Sequence, residues 1–246
     1  MIRNLLIIMG VGLIMAVVGI GGAFAVGGPA IMRDGWSWSF HDRDGDWVRV
    51  TRDGPRERGP EVTRSLEWTG GDRLVLDVAA DVVFTQGDVA SVTVAGPRSR
   101  VDRIRLENGR LFAEGNGDWG GWRDRVRVTI TAPGVSTFEM NASQDLTLRA
   151  IDVPTLRIAI SGSGEVVAEG RARTLDLDVS GSGEADLTAL TVVDADVDVS
   201  GSGEVDVGPT GRATITISGS GDVDLTRRPA SVQSNVSGSG DVNDAW

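Results

Sequence analysis

The sequence predicts an all-β chain whose last part is a solenoid, in which each repeat forms one coil laid on the coil before it. Three observations predict this class. A five-residue unit, SGSG followed by Glu or Asp, recurs at intervals of 18 to 20 residues. Apolar and polar residues alternate on both sides of each unit, which is typical of strands with one buried face. The chain has 34 glycines and only 5% aromatic residues, which suits short strands and tight turns.

The repeated unit predicts both the number of coils and the position of their corners. It begins at Ser161, Ser180, Ser200, Ser218 and Ser237. A weaker copy precedes these five, so residues 135–246 are predicted to form about six coils of about 19 residues each. Glycine allows the positive φ of a sharp corner, and serine hydroxyls bond nearby backbone. The first four positions of the unit therefore have a structural explanation.

The acidic fifth position of the unit is the candidate metal site. Stacked coils place equivalent residues about 4.8 Å apart, so these carboxylates would form an unfavourable column of like charges. Exposure and salt would relieve the repulsion, and so would bound Ca²⁺, which prefers oxygen ligands. Valine stands where a calcium-binding repeat needs an acidic ligand, so we expect no cofactor and keep Ca²⁺ as the alternative. The candidate ligands are Glu165, Glu184, Glu204, Asp222 and Asp241.

The composition excludes several functional classes. There is no cysteine, so disulfides, thiolate metal sites and cysteine nucleophiles are excluded. The net charge is −11, and residues 161–246 contain 15 acidic residues and 5 arginines, a net charge of −10. An acidic body of this kind makes nucleic acid an unsuitable partner. Cations and basic surfaces suit it better.

Residues 1–32 are predicted to be a membrane anchor or a signal segment. The stretch from Leu5 to Val26 has no charged residue and follows Arg3, and at 1.5 Å per residue a helix of this length spans a hydrocarbon core of about 30 Å. The positive end stays in the cytoplasm, so the rest of the chain would lie outside the inner membrane, in the bacterial cell envelope. Ala23-Phe24-Ala25 resembles a signal-peptidase site. The alternative is therefore export after cleavage near Ala25.

Two regions separate this segment from the repeats. Residues 33–64 mix charges with Gly and Pro, which predicts a flexible linker. Residues 65–134 are predicted to form an irregular β region, including a hairpin around Asn108-Gly109 because this pair suits a type I′ turn. A glycine-rich loop in this region carries Trp119 and Trp122. These tryptophans are candidate partner-binding residues, and the alternative is that they cover an open end of the core.

The repeats and the preceding strands resemble a known family. The units SGSG(E/D)-V/A-D, the alternating strands before them and the sequence VVFTQGD at 82–88 are similar to the GIN-type head domain of autotransporter adhesins. The resemblance runs from about Ser65 to Val242. It implies a right-handed parallel β-helix in the bacterial envelope, and it offers no catalytic residues to carry over.

We therefore expect a non-catalytic, envelope-anchored β-solenoid that presents an adhesin-like surface to envelope proteins, cell-wall glycan or other copies of itself. The first alternative is a self-associating structural protein, since the end of a solenoid is a strand edge that invites pairing. The second is a polysaccharide-active enzyme, which would need a deep cleft with two carboxylates about 5–10 Å apart. About 19 residues per coil leave no long loops to form such a cleft.

Overall fold

The structure is a computed structural model that describes residues 36–41, 47–52, 61–115 and 125–244. Two compact units divide the chain, residues 1–58 and 59–246. In the first, β1 (Trp36–His41) pairs with β2 (Trp47–Arg52) as an antiparallel hairpin. This hairpin lies in the stretch predicted to be a flexible linker. The predicted membrane segment, residues 1–32, lies outside the described residues, and no described helix is long and apolar enough to span a membrane.

The second unit is built almost entirely of strands, as the all-β prediction requires. Among the described residues of this unit, one short helix interrupts the strands, α1 (Arg98–Val101). The strands before the repeats are β3 (Glu61–Leu66), β4 (Arg73–Asp77), β5 (Ala80–Gln86), β6 (Ser91–Pro97), β7 (Ile104–Glu107), β8 (Arg110–Ala113) and β9 (Val126–Ala132). The strands of the repeat region are β10 (Thr137–Met140), β11 (Asp145–Gly162), β12 (Glu165–Gly181), β13 (Glu184–Asp186), β14 (Leu190–Gly201), β15 (Glu204–Val207), β16 (Arg212–Gly219), β17 (Asp222–Leu225), β18 (Ser231–Gly238) and β19 (Val242–Asp244).

These strands stack into two parallel columns, which we call sheet 1 and sheet 2. Sheet 1 contains the strands that lead into each SGSG unit, in the order β7-β8-β4-β10-β11-β12-β14-β16-β18. Sheet 2 contains the strands that follow each unit, in the order β3-β6-β9-β5-β11-β12-β13-β15-β17-β19. Both β11 and β12 are long enough to turn the corner and contribute to both sheets. The middle coils add a short third face at 151–153, 170–172 and 190–192.

The repeats form a parallel β-solenoid of about five turns. Six coils were predicted for this region. The first of them begins with β10, which pairs with β4 on one side and β11 on the other, so it joins the repeats to the preceding strands rather than opening the stack. The right-handed winding stays a prediction.

The core is the column of inward side chains that the period-two pattern predicts. The apolar residues that alternate with polar ones around the first four SGSG units are buried, including Leu175, Leu177 and Val179 of one coil. The largest fully buried side chains lie at the first coils, where the rings of Phe84 and Phe138 meet edge to face with their centroids 5.0 Å apart. Aliphatic residues at spacing two thus fill the interior from coil to coil.

Residues 65–134 are more regular than expected, because they build a coil and its cap. The coil formed by β4 and β5 lies between β8 and β9 on one side and β10 and β11 on the other. The chain therefore winds out of sequence order, since β8 and β9 return to one face of the coil before β10 continues on the other. The antiparallel strands β6 and β7 then cover this end of the stack. Such long-range pairing leaves no periodic signal in the sequence.

The opposite end of the solenoid is the coil formed by β18 and β19. All eight residues of β18 are exposed, and its polar residues at 233–235 replace the apolar pattern of the earlier coils. Val232 and Val236 remain 47% and 42% exposed. Loss of the apolar pattern is typical of the terminal repeat of a solenoid.

Candidate functional site

The SGSG units form a ladder at the corner between the two sheets. Their first serines are register partners from coil to coil, and so are the glycines that follow. Gly201 has φ +131°, and a Cβ atom there would lie 2.3 Å from the carbonyl oxygen of Gly181. Gly203 faces the interior, where a Cβ atom would lie 2.6 Å from Val179 Cγ1. The close approach of successive coils therefore requires these glycines.

The acidic residues after the ladder form a column along the start of the sheet 2 strands. Register pairing connects the first five members, and the Asp241 N–H continues the column by donating to Asp222 Oδ1 at 2.9 Å. The column contains Asp145, Glu165, Glu184, Glu204, Asp222 and Asp241. The five residues predicted as metal ligands are all exposed. Among the residues that the structure describes, no group of three or more His, Asp or Glu is placed to hold a metal ion.

Arg125 neutralises one end of this column. Asp145 lies beside Asp81 in the pairing of β11 with β5. Arg125 Nη1 donates to Asp81 Oδ1 at 2.6 Å and also to Asp145 Oδ2. Burial lowers the pKa of the Arg125 guanidinium, but its hydrogen bonds to Asp81 and Asp145 outweigh this and raise the pKa overall. A cation thus lies between the two carboxylates.

Sequence reasoning missed two further groups of aspartates. One lies on the outward face of sheet 1, where neighbouring strands pair Asp176 with Asp196 and Asp178 with Asp198. The other lies on sheet 2, where Asp186, Asp206 and Asp224 are register partners. The sequence did contain a signal for both groups, because aspartates recur at equivalent polar positions of successive repeats. Alternation along one strand shows that these positions face outward, but only a comparison between repeats shows that the aspartates are neighbours.

Crowding changes the protonation of these aspartates. Partial burial, followed by the charges of the neighbouring aspartates, raises the pKa of Asp178 and that of Asp196. The pKa of Asp206 is raised in the same way, by burial first and then by Asp224 and Asp186. Arg157 partly compensates the sheet 1 group, since its Nε lies 3.3 Å from Asp176 Oδ2. The middle of the solenoid therefore carries concentrated negative charge.

An open groove lies at the other end of the sheet 1 face, across β8, β4 and β10. Its volume is about 760 Å³, which is within the range of about 300–1,000 Å³ typical of ligand sites. Unlike the aspartate groups, it combines both signs of charge with amides and apolar surface. Its lining contains Arg73, Val75, Asp77, Glu107, Asn108, Arg110, Phe112, Glu139 and Asn141.

Ion pairs across the strands order the side chains of this groove. Asp77 on β4 accepts hydrogen bonds from Arg110 Nε on β8 and from Asn141 Nδ2, which lies 2.6 Å from Asp77 Oδ1. Arg73 Nη2 donates to Glu139 Oε2 at 2.6 Å, and this contact raises the pKa of Arg73. The Arg110 guanidinium also lies over the Phe112 ring, 5.7 Å from its centroid. Residues of β8, β4 and β10 and the residue after β10 thereby form two neighbouring sets of polar contacts, one around Asp77 and one between Arg73 and Glu139.

The Asn108-Gly109 turn forms one wall of the groove. Both residues have positive φ, +49° and +76°, as a type I′ turn requires, so the predicted hairpin is confirmed as β7 and β8. The groove itself was not predicted, because its partners are far apart in sequence and meet only through the out-of-order pairing of β4. Trp119 and Trp122, the predicted partner-binding residues, lie outside the described residues.

A solved structure shares this fold. The chain is similar to the crystal structure of a "putative adhesin" from Bacteroides fragilis, with 15% identity and a TM-score of 0.59 over 77% of this chain and 98% of that chain. It also matches a "putative lipid binding protein" from Parabacteroides distasonis, with 17% identity and a TM-score of 0.47 over 76% of this chain and 98% of that chain. At 15% identity the first structure supports a shared fold and nothing about function. The TM-score of the second structure is too low to support a shared fold.

A sequence comparison identifies the family. The family model described as "Putative auto-transporter adhesin, head GIN domain" matches residues 72–229, whereas no curated protein matches the chain. The matched residues are more than half of the chain and include the groove and four of the five SGSG units. The resemblance predicted from the repeats is confirmed, and the chain belongs to the family of adhesin head domains of the GIN type.

Proposed function

We propose that this protein is a non-catalytic, adhesin-like domain that is held in the cell envelope by its N-terminal segment and binds other envelope components through its solenoid. The outward face of sheet 1 is the observation that carries this proposal. The interior of the solenoid is filled with apolar side chains, so a partner must bind on the outside. The polar outer face of sheet 1 extends along the stack as far as the groove. Membership in the adhesin head family supports the same function.

The envelope location follows from the sequence of residues 1–32, with its uncharged stretch after Arg3. The test is fractionation of a bacterial host that expresses the full chain with a C-terminal tag, combined with protease treatment of spheroplasts. We expect the tag in the membrane fraction and open to protease. N-terminal sequencing distinguishes this anchor from the alternative, release after cleavage near Ala25. A tag found only in the cytosol would contradict both versions.

The binding function is tested with the full chain reconstituted in vesicles. We expect these vesicles to be retained on immobilised cell-envelope material more strongly than protein-free vesicles of the same lipids. A chain with Arg110→Ala and Asn141→Ala, which removes exposed groups of the groove without touching the core, should be retained more weakly than the wild-type chain. Equal retention of vesicles with and without protein would contradict the proposal.

Self-association is a second candidate, favoured by the exposed valines of β18. A terminal strand with an unpaired edge can pair with another copy of itself. Sedimentation of the full chain in detergent tests this candidate, since association through β18 gives a mass that increases with concentration. Val232→Ser with Val236→Ser should then restore the monomer. A monomer at all concentrations would contradict self-association.

In the proposed function the carboxylates of the groove contribute to binding and not to catalysis. Asp77 and Glu139 already accept hydrogen bonds from arginine guanidinium groups, and the groove is open to solvent rather than a deep cleft. A polysaccharide hydrolase needs two carboxyl groups free to exchange protons or attack the sugar. We expect no release of reducing ends when the chain is incubated with polysaccharides, and release would support the enzymatic alternative.

A further inference from the structure

We propose that the groove across β8, β4 and β10 is a binding site for a neutral saccharide. This inference rests on the proposed binding function and names the class of ligand. It depends on three properties of the groove: a polar network that is already ordered, arginines that are all paired with carboxylates, and apolar surface beside the polar groups.

The polar network is ordered before any ligand arrives. Asp77 is the centre of this network, because its side chain is only 15% exposed and accepts from both Arg110 and Asn141. These contacts leave the Nη groups of Arg110 and the Oδ1 atom of Asn141 available as a donor and an acceptor. Side chains that are already held lose little conformational entropy on binding. A ligand with many hydroxyl groups can therefore be bound by fixed partners.

The charges of the groove disfavour an anionic ligand, because its lining has three carboxylates and two arginines. Both arginines in the lining, Arg73 and Arg110, have a carboxylate partner that also belongs to the lining. An anionic chain would therefore find no uncompensated cation there, and it would also be repelled by the net charge of −10 on residues 161–246. A neutral ligand avoids both costs and can still use the hydrogen-bonding atoms of the ion pairs.

Apolar surface in the groove suits the carbon face of a sugar ring. Val75 and Phe112 are half-buried and lie among the polar residues of the lining. A pyranose has C–H groups on its faces and hydroxyl groups at its rim, so it can contact an aromatic or aliphatic surface while its rim forms hydrogen bonds. The lining offers this combination of surfaces within one groove.

A peptide strand fits the groove less well. Extended peptides gain much of their affinity by adding a strand to an open sheet edge. Within sheet 1, β8, β4 and β10 each pair with a strand on both sides, so no backbone edge is available there. Recognition in the groove must use side chains, and this favours a polyhydroxylated ligand over a peptide backbone.

The test measures binding of defined oligosaccharides to the full chain in detergent. The probes are neutral hexasaccharides of glucose, mannose and xylose, with a hexamer of galacturonic acid and a hexamer of glucosamine as charged comparisons. We expect at least one neutral probe to bind and the uronic acid hexamer not to bind. Asn141→Ala should weaken that binding about tenfold, since a lost hydrogen bond to a fixed partner costs about 1 kcal/mol or more.

Two further variants make the result specific. Phe112→Ala should also weaken neutral-sugar binding, while Thr214→Ala, on the same face of sheet 1 but away from the groove, should leave it unchanged. Thermal melting of each variant checks that the fold is retained. Absence of binding by every neutral probe, stronger binding of the uronic acid hexamer, or equal affinity in Asn141→Ala and wild type would overturn the inference. If vesicles still adhere to envelope material in that case, the proposed function stands and only the ligand class is wrong.

Discussion

Single glycines determine how closely successive coils can approach. In each unit the first glycine lies against the backbone of the preceding coil, and the second faces an inward aliphatic side chain. Each coil of a solenoid contacts only its neighbours, so a defect in a middle coil weakens two interfaces at once. The glycine positions are therefore the most sensitive residues of the ladder.

Gly201→Ala should destabilise the protein by about 3 kcal/mol, because the new Cβ atom adds steric overlap to an unfavourable positive φ. Thermal and denaturant unfolding of the full chain measure the effect. Gly71→Ala is the matched control, since a Cβ atom there lies 4.0 Å from the nearest atom, the Arg73 carbonyl oxygen. A Gly201→Ala protein as stable as the control would contradict the close contact between coils.

Gln144 is a buried polar residue at the corner position that glycine occupies in the later coils. Its Nε2 donates to the Leu76 carbonyl oxygen at 2.9 Å, while its Oε1 has no partner. Gln144→Leu loses the hydrogen bond but also removes the unsatisfied oxygen, so we expect a change within about 1 kcal/mol. Gln144→Ala leaves a cavity as well and should cost about 2–4 kcal/mol. Equal unfolding free energies for the two variants would contradict this account.

At the scale of elements, the position of β5 explains how the acidic column ends. Because β5 lies between β9 and β11, Asp81 comes beside Asp145 and both reach Arg125 at the start of β9. The later acidic residues of the column have other acidic residues as their register partners in the neighbouring coils. The cap strands therefore supply a cation that the repeats lack at this position.

Arg125→Gln should destabilise the protein by about 1 kcal/mol, because the Asp81 and Asp145 carboxylates then repel each other across neighbouring strands. The same substitution in an Asp145→Asn background should cost less, since one of the two charges is gone. The double-mutant cycle, measured by denaturant unfolding, isolates this coupling from the other contacts of Arg125. An equal cost in both backgrounds would contradict the role of Arg125 between the two carboxylates.

The sequence predicted the features that follow from local spacing and residue type. It did not predict the features that depend on contacts between residues far apart in the chain. The inward positions of the repeats, the SGSG corner and the Asn108-Gly109 turn follow from spacing and residue type alone. The groove does not, because the Arg73–Glu139 pair joins residues 66 positions apart and Asp77 meets Arg110 only when β8 returns beside β4. The aspartate groups were predictable in principle, since the 18-to-20-residue period already aligned their positions.

At the scale of the molecule, charge is divided along the stack. Both aspartate groups lie on the middle coils, and the acidic column continues past them to Asp241, whereas the groove end has its arginines paired with carboxylates. Repulsion among exposed like charges is screened by salt. The stability of the whole solenoid should therefore depend more on the salt concentration and pH of the solution than on any single ion pair.

Added salt should raise the melting temperature of the full chain at pH 7, because the carboxylates of the middle coils repel one another less. Calcium chloride should act no more strongly than sodium chloride at equal ionic strength, since the described residues contain no group of three or more carboxylates placed to hold a metal ion. Melting curves in both salts, with EDTA as the control, measure this. A saturable shift specific to Ca²⁺ would show instead that the acidic column binds cations.

Mild acid should stabilise the solenoid through the aspartates of its middle coils. In the folded protein the pKa values of Asp178, Asp196 and Asp206 are raised, so the folded chain binds protons more readily than the unfolded chain and gains stability as pH falls through these values. The pKa of Asp152 is lowered by its hydrogen bond to Arg171, so its contribution is instead lost as pH falls below the ordinary range of aspartate.

The melting temperature should therefore rise as pH falls from 7 toward the raised pKa values of these aspartates, pass through a maximum in mild acid and fall at lower pH. Asp178→Asn with Asp196→Asn should raise the melting temperature at pH 7 and flatten the rise, because these two carboxylates no longer gain protons on folding. Asp244→Asn is the matched control, an exposed carboxylate in the last strand, and it should leave the profile unchanged. A melting temperature that falls steadily from pH 7, or a double variant with the wild-type profile, would show that repulsion among the aspartates does not limit the stability of the stack.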